Sequence, residues 1–156
     1  MKMSEISRKY VGVPYKVGGN SVEEGFDCIR LCLAVGRDLG HVLPESPRIG
    51  EYDLSNYTAL FAPGMPFEIQ KKSMVGFFEA YFDEIEFGQA FVGDIALLEA
   101  REMITAGTIV GNGNVMVTLI DRGVTIIALD KFRIKRWRFF RWRPVRNNKS
   151  ITGGEI

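Results

Sequence analysis

The sequence predicts an α+β domain in which helices come first and an antiparallel sheet of about five strands follows. Three observations carry that prediction. Apolar residues recur at three- and four-residue spacing over 3–11, 27–39 and 71–82, the period of helices with one buried face. From residue 91 the texture changes to apolar runs of strand length. Two gaps between those runs, Gly111-Asn-Gly113 and Asp121-Arg-Gly123, carry the residues that tight hairpins require.

In chain order, Met3, Ile6, Tyr10 and Val11 space a short amphipathic helix, with Ser4 as its expected cap; Gly12 and Pro14 end it. Pro14 to Asn20 reads as an extended segment entering a turn at Gly18-Gly19. In the second helix, capped by Asp27, residues Cys28, Leu31, Cys32, Val35 and Leu39 make one apolar stripe that Ile29 and Leu33 widen. That helix is expected to be central and to stop at Gly40. Residues 44–66 read as irregular, with a helical turn at Asn56–Phe61, before a third helix at Lys71–Phe82 that buries Met74, Phe77, Phe78, Tyr81 and Phe82. The strands follow: Phe91–Leu98 as a turn into a buried strand, then Ile104–Val110, Asn114–Ile120, Val124–Leu129 and Lys135–Arg143. Residues 1–146 are expected to form one domain and 147–156 a flexible tail.

The chain has 156 residues, 46% apolar and 25% charged, the composition of a soluble globular domain. The first ten residues are polar and lack the apolar core of a signal peptide, and no run is long and apolar enough for a membrane span. Two cysteines at i and i+4 of one helix suit neither a disulfide nor a metal site, so reduced thiols, intracellular synthesis and no cofactor are expected. The net charge of +1 hides an asymmetry. Residues 131–149 hold nine basic residues and no acid, leaving eleven basic against nineteen acidic residues elsewhere.

Cys28 stands at the first turn of the central helix, where aligned peptide dipoles and unpaired N–H groups give partial positive charge. A thiol there is expected to ionise more readily than a free cysteine, of which roughly 3% is thiolate at pH 7. A cysteine on a helix facing an antiparallel sheet is the papain-like arrangement. Cys32, one turn deeper, reads as core. Asp94 reads as a turn former, and His41 as a surface or capping residue.

Several segments then fall into a known order. Pro14-Tyr-Lys-Val-Gly-Gly19 has the form PY-x-W-GG with Val17 in place of tryptophan, and Phe26-Asp-Cys-Ile-Arg-Leu31 has the form FDCSGL. Gly93-Asp94 precedes a hydrophobic run, Ala106-Gly107 through Gly111-Asn-Gly113 follows HVGIYLGNG, and Gly123-Val124 precedes a basic-aromatic strand. Over residues 5–143 the chain resembles the NlpC-type family of cell-wall cysteine peptidases, in the variant found in bacteriophage tail proteins. The resemblance implies a papain-like fold, Cys28 as nucleophile, Tyr15 as the hydroxyl supporting the oxyanion, and peptidoglycan peptide stems as substrate. It also locates two departures. Thr105 stands at the position of the family's histidine base, and Val117 at that of the next polar partner. The only histidine, His41, lies where the family pattern has no catalytic residue.

Cleaving an amide with a thiol needs a base for the thiol proton and an acid for the departing nitrogen, and histidine does both. Positioned proton transfer contributes roughly 10²–10⁴-fold. The leading expectation is therefore a catalytically degenerate NlpC-type domain acting as a structural or assembly component of a phage or prophage tail tip. Such a protein is made in the host cytoplasm and carried in the virion, with other tail-tip proteins as partners. The alternative is an active endopeptidase whose proton-transfer group comes from another chain. A nucleic-acid-binding module using residues 131–146 is the third.

As a strand, residues 135–143 put Trp137, Phe139, Arg141 and Arg143 on one side and Arg136, Arg138, Phe140 and Trp142 on the other. Neither face is uniformly apolar. Three readings stay open: a sheet edge guarded by cations; a partner-docking surface through Arg136, Trp137, Arg138, Arg141, Trp142 and Arg143; and nucleic-acid contact, which the acidic body opposes.

Overall fold

The computed structural model describes residues 1–100, 102–131 and 136–144. Helix α1 spans Met3–Tyr10, α2 Cys28–Asp38 and α3 Phe67–Tyr81. A small ribbon of β1 (Arg48–Ile49) and β2 (Tyr52–Asp53) lies between α2 and α3, followed by a 3₁₀ turn at Tyr57–Phe61. The main sheet contains β3 (Phe82–Ile85), β4 (Ile95–Glu99), β5 (Ile104–Gly111), β6 (Asn114–Leu119), β7 (Gly123–Ala128) and β8 (Arg136–Trp142). Its order is β3-β8-β4-β5-β6-β7, and every neighbouring pair is antiparallel.

The α+β fold class is as the sequence predicts, with the helices first and the sheet after. The sheet has one strand more than expected, because β3 continues directly from α3 and pairs Phe82–Ile85 with Trp142–Phe139. Lys2, not Ser4, occupies the N-cap of α1, and its backbone N–H donates to the Glu5 carboxylate at 3.1 Å. Helix α3 starts at Phe67 directly after Pro66, a turn earlier than its apolar spacing suggests. The expected tail at 147–156 and the strand position Lys135 lie outside the described residues.

Strand alternation sorts the core into two faces. On the helix side, Cys28, Cys32 and Leu33 of α2 and Met74, Phe77 and Phe78 of α3 pack on Ile95, Leu97, Ala106, Phe140 and Trp142. Ile6 and Tyr10 of α1 join Leu31 and Val35 of α2 against Met116 and Val124 on the same side. The opposite face gathers Ala96, Ile109, Val115, Val117 and Phe139. Helix α2 is thus central, as its wide apolar stripe predicts, with eight of its eleven residues buried.

One contact fixes where α2 lies on the sheet. A Cβ at Gly36 would overlap the Trp142 ring, so only glycine lets helix and strand approach this closely.

The edge-strand reading of 135–143 does not hold. Strand β8 lies between β3 and β4, hydrogen-bonded on both sides. Its arginines meet acids on neighbouring elements. Arg138 bonds Glu84 at 2.7 Å and Glu79 at 2.7 Å, and Arg143 bonds Asp83 at 3.1 Å. Arg141 grips Asp94 through two hydrogen bonds of 3.0 and 2.9 Å. Arg138, Arg141 and Arg143 and part of the acidic body thus neutralise each other across the sheet. Trp142 is only 6% exposed, while Arg136 is exposed. Among the described residues no helix is long and apolar enough to cross a membrane.

Candidate functional site

The site is built from one turn, one helix terminus and one strand. A parallel bridge joins Tyr15 to Phe26, with Phe26 N–H donating to Pro14 at 3.0 Å and Lys16 N–H to Phe26 at 3.1 Å. This bridge brings Tyr15 alongside the start of α2. Gly25 adopts φ +112° there, and a Cβ on it would meet the Pro14 carbonyl at 2.5 Å, so the crossing is possible only for glycine.

Asp27 is the N-cap of α2, as expected, and accepts from Arg30 N–H at 2.8 Å. It does more than cap. Its other oxygen accepts from Gly18 N–H at 2.7 Å and from the Tyr57 hydroxyl. Fully buried, the carboxylate ties the glycine turn, the helix and the 3₁₀ segment together. Sequence reasoning missed Tyr57 and Arg30. No local pattern marks a tyrosine thirty residues away as the partner of a capping aspartate.

Cys28 is 6% exposed. Desolvation by burial pushes its thiol up to about 12, and the negative Asp27 beside it pushes the same way. The Ala106 N–H, the Thr105 hydroxyl and the Ile29 N–H donate to the sulfur and oppose the shift, but do not overcome it. This overturns the expectation of an activated thiol. The helix-terminal amides are present, yet burial and a like charge outweigh them. At about 12 the thiolate fraction at pH 7 is on the order of 10⁻⁵.

Tyr15 is half-buried, its hydroxyl pKa raised first by desolvation and then by the charges of Cys28 and Asp27. Its hydroxyl stays protonated and close enough to Cys28 to feel its charge. Cys32 is buried one turn below, its thiol also raised by burial and touched by the Thr108 hydroxyl.

The structure therefore brings Tyr15, Asp27, Cys28 and Thr105 together, and leaves out the remaining positions. Val117 is 1% exposed within the apolar cluster on the other face of the sheet from Cys28. His41 follows the far end of α2, eleven helical residues from Cys28, or about 16 Å along the axis. There its ring stacks on Trp142, with centroids 4.9 Å apart and planes 3° from parallel. Burial lowers its pKa, partly offset by Asp94. Asp94 forms the expected turn, accepting from Phe91 N–H at 2.9 Å, and adds the Arg141 pair.

Chemically, this arrangement holds a neutral thiol against neutral hydroxyls. It offers hydrogen-bond donors to the sulfur, and among the described residues no histidine beside it to exchange a proton near neutral pH; a threonine hydroxyl has no useful pKa. Among the described residues no cluster of three or more histidine, cysteine or acidic side chains is placed to hold a metal ion.

No family model matches the chain, and no curated protein matches it in sequence. Solved structures do match. An NlpC/P60 family protein from Bacillus cereus aligns with 92% of this chain at 17% identity and a TM-score of 0.59. A lipoprotein-like NLP/P60 family protein from Staphylococcus aureus aligns with 92% at 17% identity and a TM-score of 0.55. The NlpC/p60 domain of the peptidoglycan hydrolase SagA aligns with 87% of this chain and 93% of that domain, at 18% identity and a TM-score of 0.48. The chain spans only 40% and 41% of the length of the Bacillus and Staphylococcus proteins. At these identities the likeness is one of architecture, and the central helix with its terminal cysteine, laid on an antiparallel sheet, is an NlpC/p60 fold.

Proposed function

We propose that this chain is a peptidase-like NlpC/p60-type domain that has lost hydrolysis and serves as a structural or assembly component of a bacteriophage or prophage tail tip. One observation carries the first half. The side chain that reaches the Cys28 sulfur from β5 is a threonine, and it stands where the resembled family has its histidine. A thiol held up to about 12 and partnered by a hydroxyl lacks both the base and the acid that amide cleavage needs. The tail assignment rests on the order of the sequence motifs.

The partner surface in this reading is the part of β8 and its flank on the sheet face away from the helices, Trp137, Arg141 and Arg143, with Arg136 and Arg138 on the strand's other side. Arginine and tryptophan are favoured interface anchors, and ion pairs shared with Glu79, Glu84 and Asp83 pre-order the arginines. Purified virions and tail-assembly intermediates, probed with an antibody to this chain, test the role. Stoichiometric incorporation that survives Cys28→Ala is expected. Absence from both particles and intermediates contradicts the proposal. Muropeptide cleavage that appears only when neighbouring virion proteins are added, and disappears with Cys28→Ala, would instead establish an enzyme completed in trans.

A further inference from the structure

The segment Asp53–Phe61 lies across the N-terminal end of α2, and four contacts hold it there. The Tyr57 hydroxyl donates to Asp27, and Arg30 Nη2 donates to the Leu54 carbonyl at 2.9 Å. The Arg30 guanidinium sits 5.8 Å from the Tyr57 ring centre. The Thr58 methyl lies 2.6 Å from where Gly18 would carry a Cβ, so the segment rests directly on the glycine turn. Tyr57 and Leu60, 0% and 1% exposed, enter the same buried cluster as Cys28.

We propose that residues 53–61 form a strap that covers Cys28, with the Tyr57–Asp27 hydrogen bond as its latch. The strap is short and is bounded by turns, with Gly50 at φ +63° before it and Pro63-Gly64-Met65-Pro66 after it. Ser55, Asn56 and Thr58 face solvent, so only Tyr57 and Leu60 are fully inserted. Beside the strap, Arg30 Nε is buried with no hydrogen-bond partner among the described residues. Local opening of such a segment exposes the thiol without unfolding the domain. The inference concerns access to Cys28 and holds whether or not the centre hydrolyses anything.

Native-state alkylation with iodoacetamide, resolved by peptide mass spectrometry, tests it. Cys32, 1% exposed and one helical turn deeper, serves as the internal reference. In the wild-type chain Cys28 is modified ahead of Cys32. Tyr57→Phe accelerates Cys28 by about tenfold, the weight of one hydrogen bond to a charged acceptor, and leaves Cys32 unchanged. Arg30→Ala, which removes the tie to Leu54, accelerates Cys28 in the same selective way. Electrostatics alone predicts the opposite sign for Tyr57→Phe, because an Asp27 without its tyrosine donor raises the thiol further, so acceleration reads access. Modification of both cysteines in parallel, or an unchanged Cys28 rate in both variants, overturns the strap.

Discussion

The buried thiol makes a quantitative prediction about alkaline stability. Cys28 has an ordinary pKa of 9.0 and is pushed to about 12 in the folded chain. The folded state therefore keeps a proton that the unfolded state releases between those values. The resulting stability is fully present below pH 9 and is lost as pH rises toward 12. Each pH unit within that window corresponds to about 1.4 kcal/mol, so Cys28 alone removes about 2 kcal/mol by pH 10.5. Lysines, tyrosines and Cys32 also titrate in this range, which is why the informative quantity is a difference. Urea unfolding of the wild-type chain and of Cys28→Ala at pH 8 and pH 10.5 isolates the contribution. The wild type is expected to lose about 2 kcal/mol more than Cys28→Ala over that interval. Parallel losses would refute the argument that burial and Asp27 hold the thiol protonated.

Other variants probe the packing around the site. Tyr57→Phe removes one donor from the buried Asp27 carboxylate and is expected to cost about 1.5–3 kcal/mol in urea unfolding at pH 7. Gly36→Ala forces a methyl into the Trp142 ring and should cost about 1–3 kcal/mol, with a change in tryptophan fluorescence marking the displaced ring. Arg141→Ala leaves Asp94, 3% exposed, without its two guanidinium bonds. Because the arginine itself is 35% exposed, the expected outcome is a lowered midpoint in thermal or urea unfolding, a smaller loss than breaking a fully buried pair would cause.

Local signals in the sequence account for much of this fold. The stripe from Cys28 to Leu39 predicts a central helix, and the glycines at 111, 113 and 123 predict the hairpins that join β5, β6 and β7. Position in the sequence motif also pointed to Thr105, whose side chain is among the groups that lower the Cys28 pKa. What stayed hidden was non-local. Strand β3 is a short, mostly polar run, Phe82-Asp-Glu-Ile85, that becomes a strand only because β8 pairs with it. The arginines of β8 read as edge protection until β3 and β4 are seen on either side of the strand and Glu79, Glu84, Asp83 and Asp94 opposite the arginines. The strap is hidden for the same reason, since Tyr57 acquires its role from Asp27. The direction of the Cys28 shift was the sharpest reversal. Helix-terminal position is visible in a sequence, whereas desolvation depends on what Tyr57, Leu60 and the sheet place around the sulfur.

Among the described residues no histidine lies beside Cys28, and the proposed loss of hydrolysis rests on that. Its most direct measurement is the rate at which the isolated chain cleaves purified muropeptides, followed by mass spectrometry over days and set against Cys28→Ala. Equal, background-level product from both proteins is predicted. Cleavage by the wild-type chain that is lost in Cys28→Ala would contradict it.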